Sequence, residues 1–191
     1  MNQNKLQFSK PDLLVRRTIL RTNRYLSVTP NRVIERLDYV PPGRSLHLLD
    51  VENLMGGPKR GVHALEFACN AYRETGLVAC GDHITMAANP HLIHDAVHCW
   101  PGAKSMIGKG PDGADRALIN AASNVEWVAR RFDRIVIGSG DGIFHRLARR
   151  FRALGIEVGV VARVGSLAYI LRRQASFVRQ IPDGPDLRSA A

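Results

Sequence analysis

Three short stretches of this sequence put carboxylates where chemistry is commonly done. The first is Leu48-Leu49-Asp50-Val51-Glu52-Asn53-Leu54, an apolar strand that delivers Asp50 at its end, with Asn53 three residues on. The second is Ile135-Val136-Ile137-Gly138-Ser139-Gly140-Asp141-Gly142, a strand followed by a tight turn that carries a hydroxyl and a carboxylate into a helix beginning near Phe144. The third is Asp115, which opens a helix beginning near Ala114, just after Lys109-Gly110-Pro111-Asp112. Converging carboxylates without a basic partner repel one another, and the usual remedy is a divalent cation with oxygen ligands, Mg2+ or Mn2+. Such an ion polarises a phosphoryl oxygen and lowers the pKa of a bound water, which suits phosphodiester hydrolysis. Each acid also has a plain structural reading: Asp112 or Asp115 as a helix cap or dipole partner, and Asp141 as an N-cap. Asp50 resists that reading, because no helix is expected until well past Gly56-Gly57-Pro58.

The elements that must position these residues alternate between strand-like and helix-like segments, the pattern of an α/β fold with a mainly parallel sheet. Six short apolar runs are expected as buried strands: Leu46 to Leu49, Leu77 to Ala79, Lys104 to Ile107, Arg134 to Gly138, Glu157 to Ala162 and Phe177 to Gln180. Helical spacing lies between them, in Val62, Leu65, Cys69 and Tyr72, then Ala114, Leu118, Ala121, Val125 and Val128, then Phe144, Leu147, Phe151 and Leu154. In such a sheet ligands collect beyond the carboxyl ends of the strands, where Asp50 and Asp141 fall.

The chain of 191 residues carries a formal charge of +10, with 27 Lys and Arg against 17 Asp and Glu. That field favours polyanions and says nothing about catalysis. Its distribution is uneven. Residues 1–44 hold nine bases against Asp12, Glu35 and Asp38, so about a quarter of the chain supplies +6 of the total. This basic N-terminal arm is expected to be partly helical or flexible and breaks at Pro41-Pro42-Gly43; the domain proper is expected over 45–181, and 182–191 read as a frayed tail. The apolar runs are far too short for a membrane span and the polar start is no secretory signal, so a cytoplasmic protein without a membrane partner is expected. Three cysteines without a disulfide framework fit a reducing compartment.

Taken together, Asp50-x-x-Asn53 after the first strand, Ala114-Asp115-Arg116-Ala117-Leu118 in a middle helix and Ser139-Gly140-Asp141-Gly142-Ile143-Phe144 after the fourth strand resemble the NYN domains of the PIN-like nuclease superfamily. The resemblance runs from about Ser45 to Ile181 and includes the late Ser166-Leu167-Ala168-Tyr169-Ile170-Leu171. It implies a three-layer α/β/α sandwich and a metal-dependent ribonuclease. Asp50, Asp115 and Asp141 would hold Mg2+ or Mn2+ and position the water, Asn53 would orient Asp50 or contact the scissile phosphate, and Ser139 would support Asp141. Two positions depart from the family's pattern: Ile143 and Ala121 stand where further acids are often found. That leaves donors for one ion, and keeps open an RNA-binding adaptor with weak or no cleavage. A third reading is an enzyme acting on a nucleotide or another phosphorylated small molecule.

RNA, single-stranded or structured, is the expected partner. His145, Arg146, Arg149, Arg150 and Arg152 lie beside the Phe144/Leu147/Phe151 stripe, and with Lys109 and Arg163 they are assigned to its backbone. The alternative is a solvated basic helix face. Many PIN-like proteins pair up, so a homodimer through Trp127 or the arm stays open. Other signals are set aside. Gly138-x-Gly140-x-Gly142 lacks the third glycine of a dinucleotide fingerprint, since Ile143 stands there, and Gly108-Lys109 lacks the rest of a P-loop. Cys80, His83, His91, His94, His98 and Cys99 mix zinc-ligand types without a recognised spacing, so Cys69, Cys80 and Cys99 read as small core residues and the histidines as surface residues.

Overall fold

Apolar residues at successive strand positions put apolar side chains on both faces, which force a sheet that is covered on both. The computed structural model describes residues 43–184; the basic arm, apart from its last two residues, and 185–191 of the tail lie outside the described residues. Six strands form one sheet: β1 (Ser45–Asp50), β2 (His83–Ala88), β3 (Lys104–Ile107), β4 (Arg134–Gly138), β5 (Glu157–Arg163) and β6 (Phe177–Ile181). Their order is β3-β2-β1-β4-β5-β6 and every neighbouring pair is parallel. Between them run helices α1 (Val51–Met55), α2 (Val62–Glu74), α3 (Ile93–Cys99), α4 (Gly113–Ala121), α5 (Val125–Ala129), a 3-10 turn (Gly142–Phe144), α6 (His145–Ala153) and α7 (Tyr169–Arg172).

The alternation sorts the strands' side chains into two cores. Leu46, Leu48, Ile135, Ile137, Val158 and Val160 face α4 to α7, packing with Leu118, Val128, Phe144, Leu147, Phe151 and Leu171. Leu49, Met86, Val136 and Val161 face α1 to α3, packing with Leu54, Leu65, Cys69, Tyr72 and Trp100. The expected three-layer α/β/α sandwich is therefore present, with an all-parallel sheet. The helices change face between β1 and β4, which are adjacent, so the sheet has a topological switch point between those two strands, where a crevice must open.

Several sequence expectations need correction. The second strand is His83–Ala88, not Leu77 to Ala79. The Ala79 N–H donates to Asp82 Oδ2 (2.9 Å) and its carbonyl accepts from the Asp82 N–H (3.2 Å), so its backbone is committed to a turn rather than a ladder. The stripe from Ala114 to Val128 is two helices, broken at residues 122–124, where the Asn124 side-chain Oδ1 caps α5 by accepting from the Trp127 N–H. Ala121 is exposed in consequence. A helix does follow Asp50 directly: α1 is one turn long and ends at Gly56, whose φ of 87° only glycine adopts without strain. Cys69 is buried but Cys80 is exposed and Cys99 intermediate, and Trp127 is exposed beneath the Arg131 guanidinium, 3.8 Å from its ring.

One buried polar network was not anticipated. His47, fully buried on β1, holds Tyr72 Oη at 2.8 Å on Nδ1 and Asp82 Oδ2 at 3.2 Å on Nε2. Burial lowers the His47 pKa despite the opposing pull of Asp82, so the neutral ring donates from Nε2 to Asp82 and accepts the Tyr72 hydroxyl at Nδ1. Asp82 also accepts from the Ser45 N–H (2.7 Å), fixing the start of β1 to the loop before β2. Tyr72→Phe leaves Nδ1 without its donor and is expected to cost about 1–3 kcal/mol in urea unfolding. Because the folded-state pKa lies below the unfolded value, the unfolded chain binds more protons in that window, and stability falls as pH drops below about 6.5. Unfolding midpoints of wild type and His47→Gln between pH 8 and 5.5 check this: the variant is expected to show the shallower loss on acidification.

Candidate active site

Strand register and strand parity together bring the first two motifs into contact. Leu49 pairs with Gly138 across β1 and β4, so Asp50 and Ser139 leave the sheet side by side. Both continue the alternate positions that face α4 to α7, Asp50 after Leu46 and Leu48, Ser139 after Ile135 and Ile137. Ser139 Oγ donates to Asp50 Oδ2 (3.1 Å) and accepts from the Asp141 N–H (3.2 Å). Ser139 thus supports Asp50 with its proton and the Asp141 backbone with its lone pair. Asp50 Oδ1 accepts from the Asn53 N–H (3.2 Å) and caps α1, while Asp141 Oδ1 accepts from the Ile143 N–H (2.9 Å) and caps the 3-10 turn. Both acids therefore have structural roles alongside any chemical one.

Asn53 does not orient Asp50 through its side chain. Its Oδ1 accepts from the Gly140 N–H (2.9 Å), tying α1 to the β4 turn and turning its amide NH2 group into the one that is left to donate. Gly140 is required there for space: a Cβ would lie 2.4 Å from the Ser166 carbonyl oxygen, and the Gly140 carbonyl accepts from the Ala168 N–H (2.8 Å). The loop before α7 is thereby pressed onto the turn. Gly108 does the same for the third motif, since a Cβ there would lie 2.2 Å from the Ala114 nitrogen. That close approach sets the start of α4, and with it Asp115, over the end of β1.

Asp115 is 8% exposed, and its Oδ1 is buried with no hydrogen-bond partner. Neither it nor Asp112 caps α4 with its side chain. Its carboxyl is near enough to that of Asp50 for each to shift the other's ionisation. Burial first, and then the charge of Asp115, raises the Asp50 pKa well above the usual carboxylate range; burial raises Asp115 too, with the nearby charges of Asp141, Asp112 and Glu52 adding to it. The pair is disposed to hold one proton between them, as two close buried carboxylates must unless a cation separates them.

These acids wall a cavity of about 370 Å³ that includes Asp50, Asn53, Asp112, Asp115 and Asp141. Two of its walls were not anticipated. Glu52 Oε1 accepts from the Asn89 N–H (2.7 Å), joining α1 to the exit of β2; its sequence signal was its place between Asp50 and Asn53. Asp112 stands at φ 50°, the one described non-glycine residue in the left-handed region. Arg163, from the end of β5, is the one basic residue among the described residues that wall the cavity. Lys109 is exposed between Gly108 and Gly110, which do line it. His145 folds back so that Nδ1 lies 2.8 Å from the Gly142 carbonyl, and Arg146 and Arg149 are exposed on α6, away from the cavity's walls. Among the described residues, no three His, Cys, Asp or Glu side chains stand close enough, as they lie, to hold one ion.

Comparison with known proteins agrees with this geometry at the level of fold. Residues 97–181 match the family model of the NYN domain, a span that contains Asp115, Ser139 and Asp141 and excludes Asp50 and Asn53. The resemblance read from the sequence is borne out over that span, which is less than half of the chain. The fold is shared with the crystal structure of a protein of unknown function from Vibrio parahaemolyticus, at a TM-score of 0.52 and 17% identity over 73% of this chain and 93% of that one. No curated protein matches the sequence.

Crowded carboxylates cost stability when nothing neutralises them. Asp115→Asn is therefore expected to raise the unfolding midpoint in EDTA at pH 7.5 by a few degrees, on the order of 1 kcal/mol. Differential scanning calorimetry decides it: an unchanged or lowered midpoint means that the Asp50–Asp115 contact carries no net repulsion.

Proposed function

We propose that the chain is a metal-dependent endoribonuclease that hydrolyses RNA phosphodiester bonds at the crevice between β1 and β4. The observation that carries this reading is the partnerless, buried Asp115 Oδ1 beside Asp50 and Asp141 in one cavity. Hard oxygen donors from three separate elements are the ligand type of Mg2+ or Mn2+. Asp50, Asp115 and Asp141 would hold the ion, which when bound polarises the phosphoryl oxygen and acidifies a water. The remaining work belongs to the chain. Ser139 keeps one Asp50 oxygen oriented, and the Asn53 amide, fixed by Gly140, donates to a phosphate oxygen. Arg163 neutralises the backbone at the cavity wall, and Lys109, His145, Arg146 and Arg149 extend the basic path outward.

A second reading, an RNA-binding adaptor without turnover, is favoured by one observation: Asp50 and Asp141 are both engaged as caps, and among the described residues no three acids close around one point. Incubating the full chain with labelled single-stranded RNA separates the two. Cleavage is expected with Mg2+ or Mn2+ and not in EDTA, and Asp141→Asn is expected to lower the rate on the order of a hundredfold or more. Ser139→Ala, which disturbs Asp50 without removing a ligand, is expected to cost about 10- to 100-fold. Salt-sensitive binding with no metal-dependent cleavage would instead establish the adaptor, and equal cleavage by wild type and Asp50→Asn would remove the assigned site.

A further inference from the structure

Beyond β6 the chain does not leave the domain at once. Asp183 lies between two arginines that are far apart in sequence. Its Oδ1 is 2.5 Å from Arg60 Nη1, and its Oδ2 is 3.4 Å from Arg60 Nη2 and 3.1 Å from Arg163 Nη1. Arg60 Nη1 also donates to the Gly184 carbonyl oxygen (3.3 Å). The Arg60 guanidinium lies against Gly56, where a Cβ would come within 2.9 Å of Nη1, and Gly56 is itself a wall of the acid cavity. Arg163 is another wall, and its Nε is buried with no partner. A single carboxylate thus takes both terminal nitrogens of Arg60 and one of Arg163, leaving a net positive charge beside the cavity and the Arg163 Nε buried without a partner.

We infer that Arg60 and Arg163 form a phosphate subsite for the RNA backbone next to the scissile position, and that Asp183 occupies it in the free protein in place of a phosphate. This inference rests on the proposed action on RNA and adds where the neighbouring phosphate sits. The Arg60 fork and the Arg163 terminal nitrogen, converging on a pair of oxygens, match the two non-bridging oxygens of a phosphodiester as well as they match a carboxylate. The cavity otherwise presents acids, so a polyanion can approach it only where the walls are basic, and Arg163 is the basic wall. Asp183 is 46% exposed along its side chain and sits two residues beyond the last ladder pairing, that of Ile181 with Arg163, so it can swing out without breaking β6. RNA entering the subsite must displace it. Asp183 therefore weakens RNA binding in proportion to how well it fills the site.

The test uses the full chain in EDTA with a fluorescein-labelled single-stranded RNA, read by anisotropy. Asp183→Ala is expected to bind about three- to tenfold tighter than wild type. Glu126→Ala, which removes the same charge from an exposed site on α5 outside the cavity's walls, is expected to have a clearly smaller effect. Arg60→Gln with Arg163→Gln is expected to weaken binding, to reduce the salt slope by about 0.7 for one lost phosphate contact, and to abolish the gain from Asp183→Ala. A parallel arm records the unfolding midpoint with inorganic phosphate against chloride at matched ionic strength: phosphate is expected to stabilise Asp183→Ala and not the same variant lacking both arginines. If RNA binds but Asp183→Ala gains no more than Glu126→Ala, the subsite is wrong and the RNA reading stands. If no variant binds RNA while phosphate stabilises Asp183→Ala alone, the subsite stands and the RNA reading falls.

Discussion

The structure around the cavity depends on one physical difficulty, the burial of the Asp50 carboxylate at the end of an apolar strand. A carboxylate 4% exposed has lost most of its water, and the loss must be offset by hydrogen bonds or by neutralisation. The chain supplies two donors, the Ser139 hydroxyl and the Asn53 N–H. It then makes matters worse by setting Asp115 against the same group. A fold selected only for stability would not keep that contact, since an asparagine at either position would fit the same space with a donor in place of a repulsion. Buried acids set against one another in this way cluster at functional sites.

The surrounding elements hold the difficulty in place. Ser139 reaches Asp50 only because β1 and β4 are neighbours in register, and Asp115 reaches it only because α4 starts against Gly108. Asn53 and Glu52 then tie α1 to the β4 turn and to the exit of β2, so three strand ends are cross-linked by side chains of one short helical turn. None of these bonds is internal to one element. The crevice is therefore as rigid as the sheet, in keeping with a site that must hold charges together against their repulsion.

Much of this was legible in the sequence, for reasons that can be stated. Strands β1, β4 and β5 are nearly continuous apolar runs, the mark of strands buried on both faces, and the acids that end β1 and follow β4 could be read directly from them. The second strand was missed because Leu77-Val78-Ala79 is apolar while His83-Ile84-Thr85 is not, and only the Asp82 bonds to the backbone of Ala79 and Ser45 decide between them. Helix α1 was missed because one turn carries no periodicity. The same short turn hid the role of Glu52, whose partner Asn89 is 37 residues away. Basic residues were the least legible: charge on α6 suggested a path, yet exposure on a helix does not say which arginines meet the cavity. Arg163 does so by ending β5, and Arg60 joins it through Asp183, a partner 123 residues on that no local pattern announces.

The net charge takes on a different meaning in this light. More than half of it belongs to residues 1–44, and the cavity itself is acidic apart from Arg163. A polyanion is thus attracted by the chain as a whole and repelled by the place where it would react. On the proposed reading, two forces of opposite sign acting at different ranges would produce selectivity in position: the long-range attraction would gather RNA, while only a backbone whose phosphate is neutralised locally would settle over the carboxylates. The arginines at the cavity edge determine where that happens. The Asp183 pairs keep two cations folded against a site whose acids alone would repel any phosphate, which is the condition the proposed subsite requires.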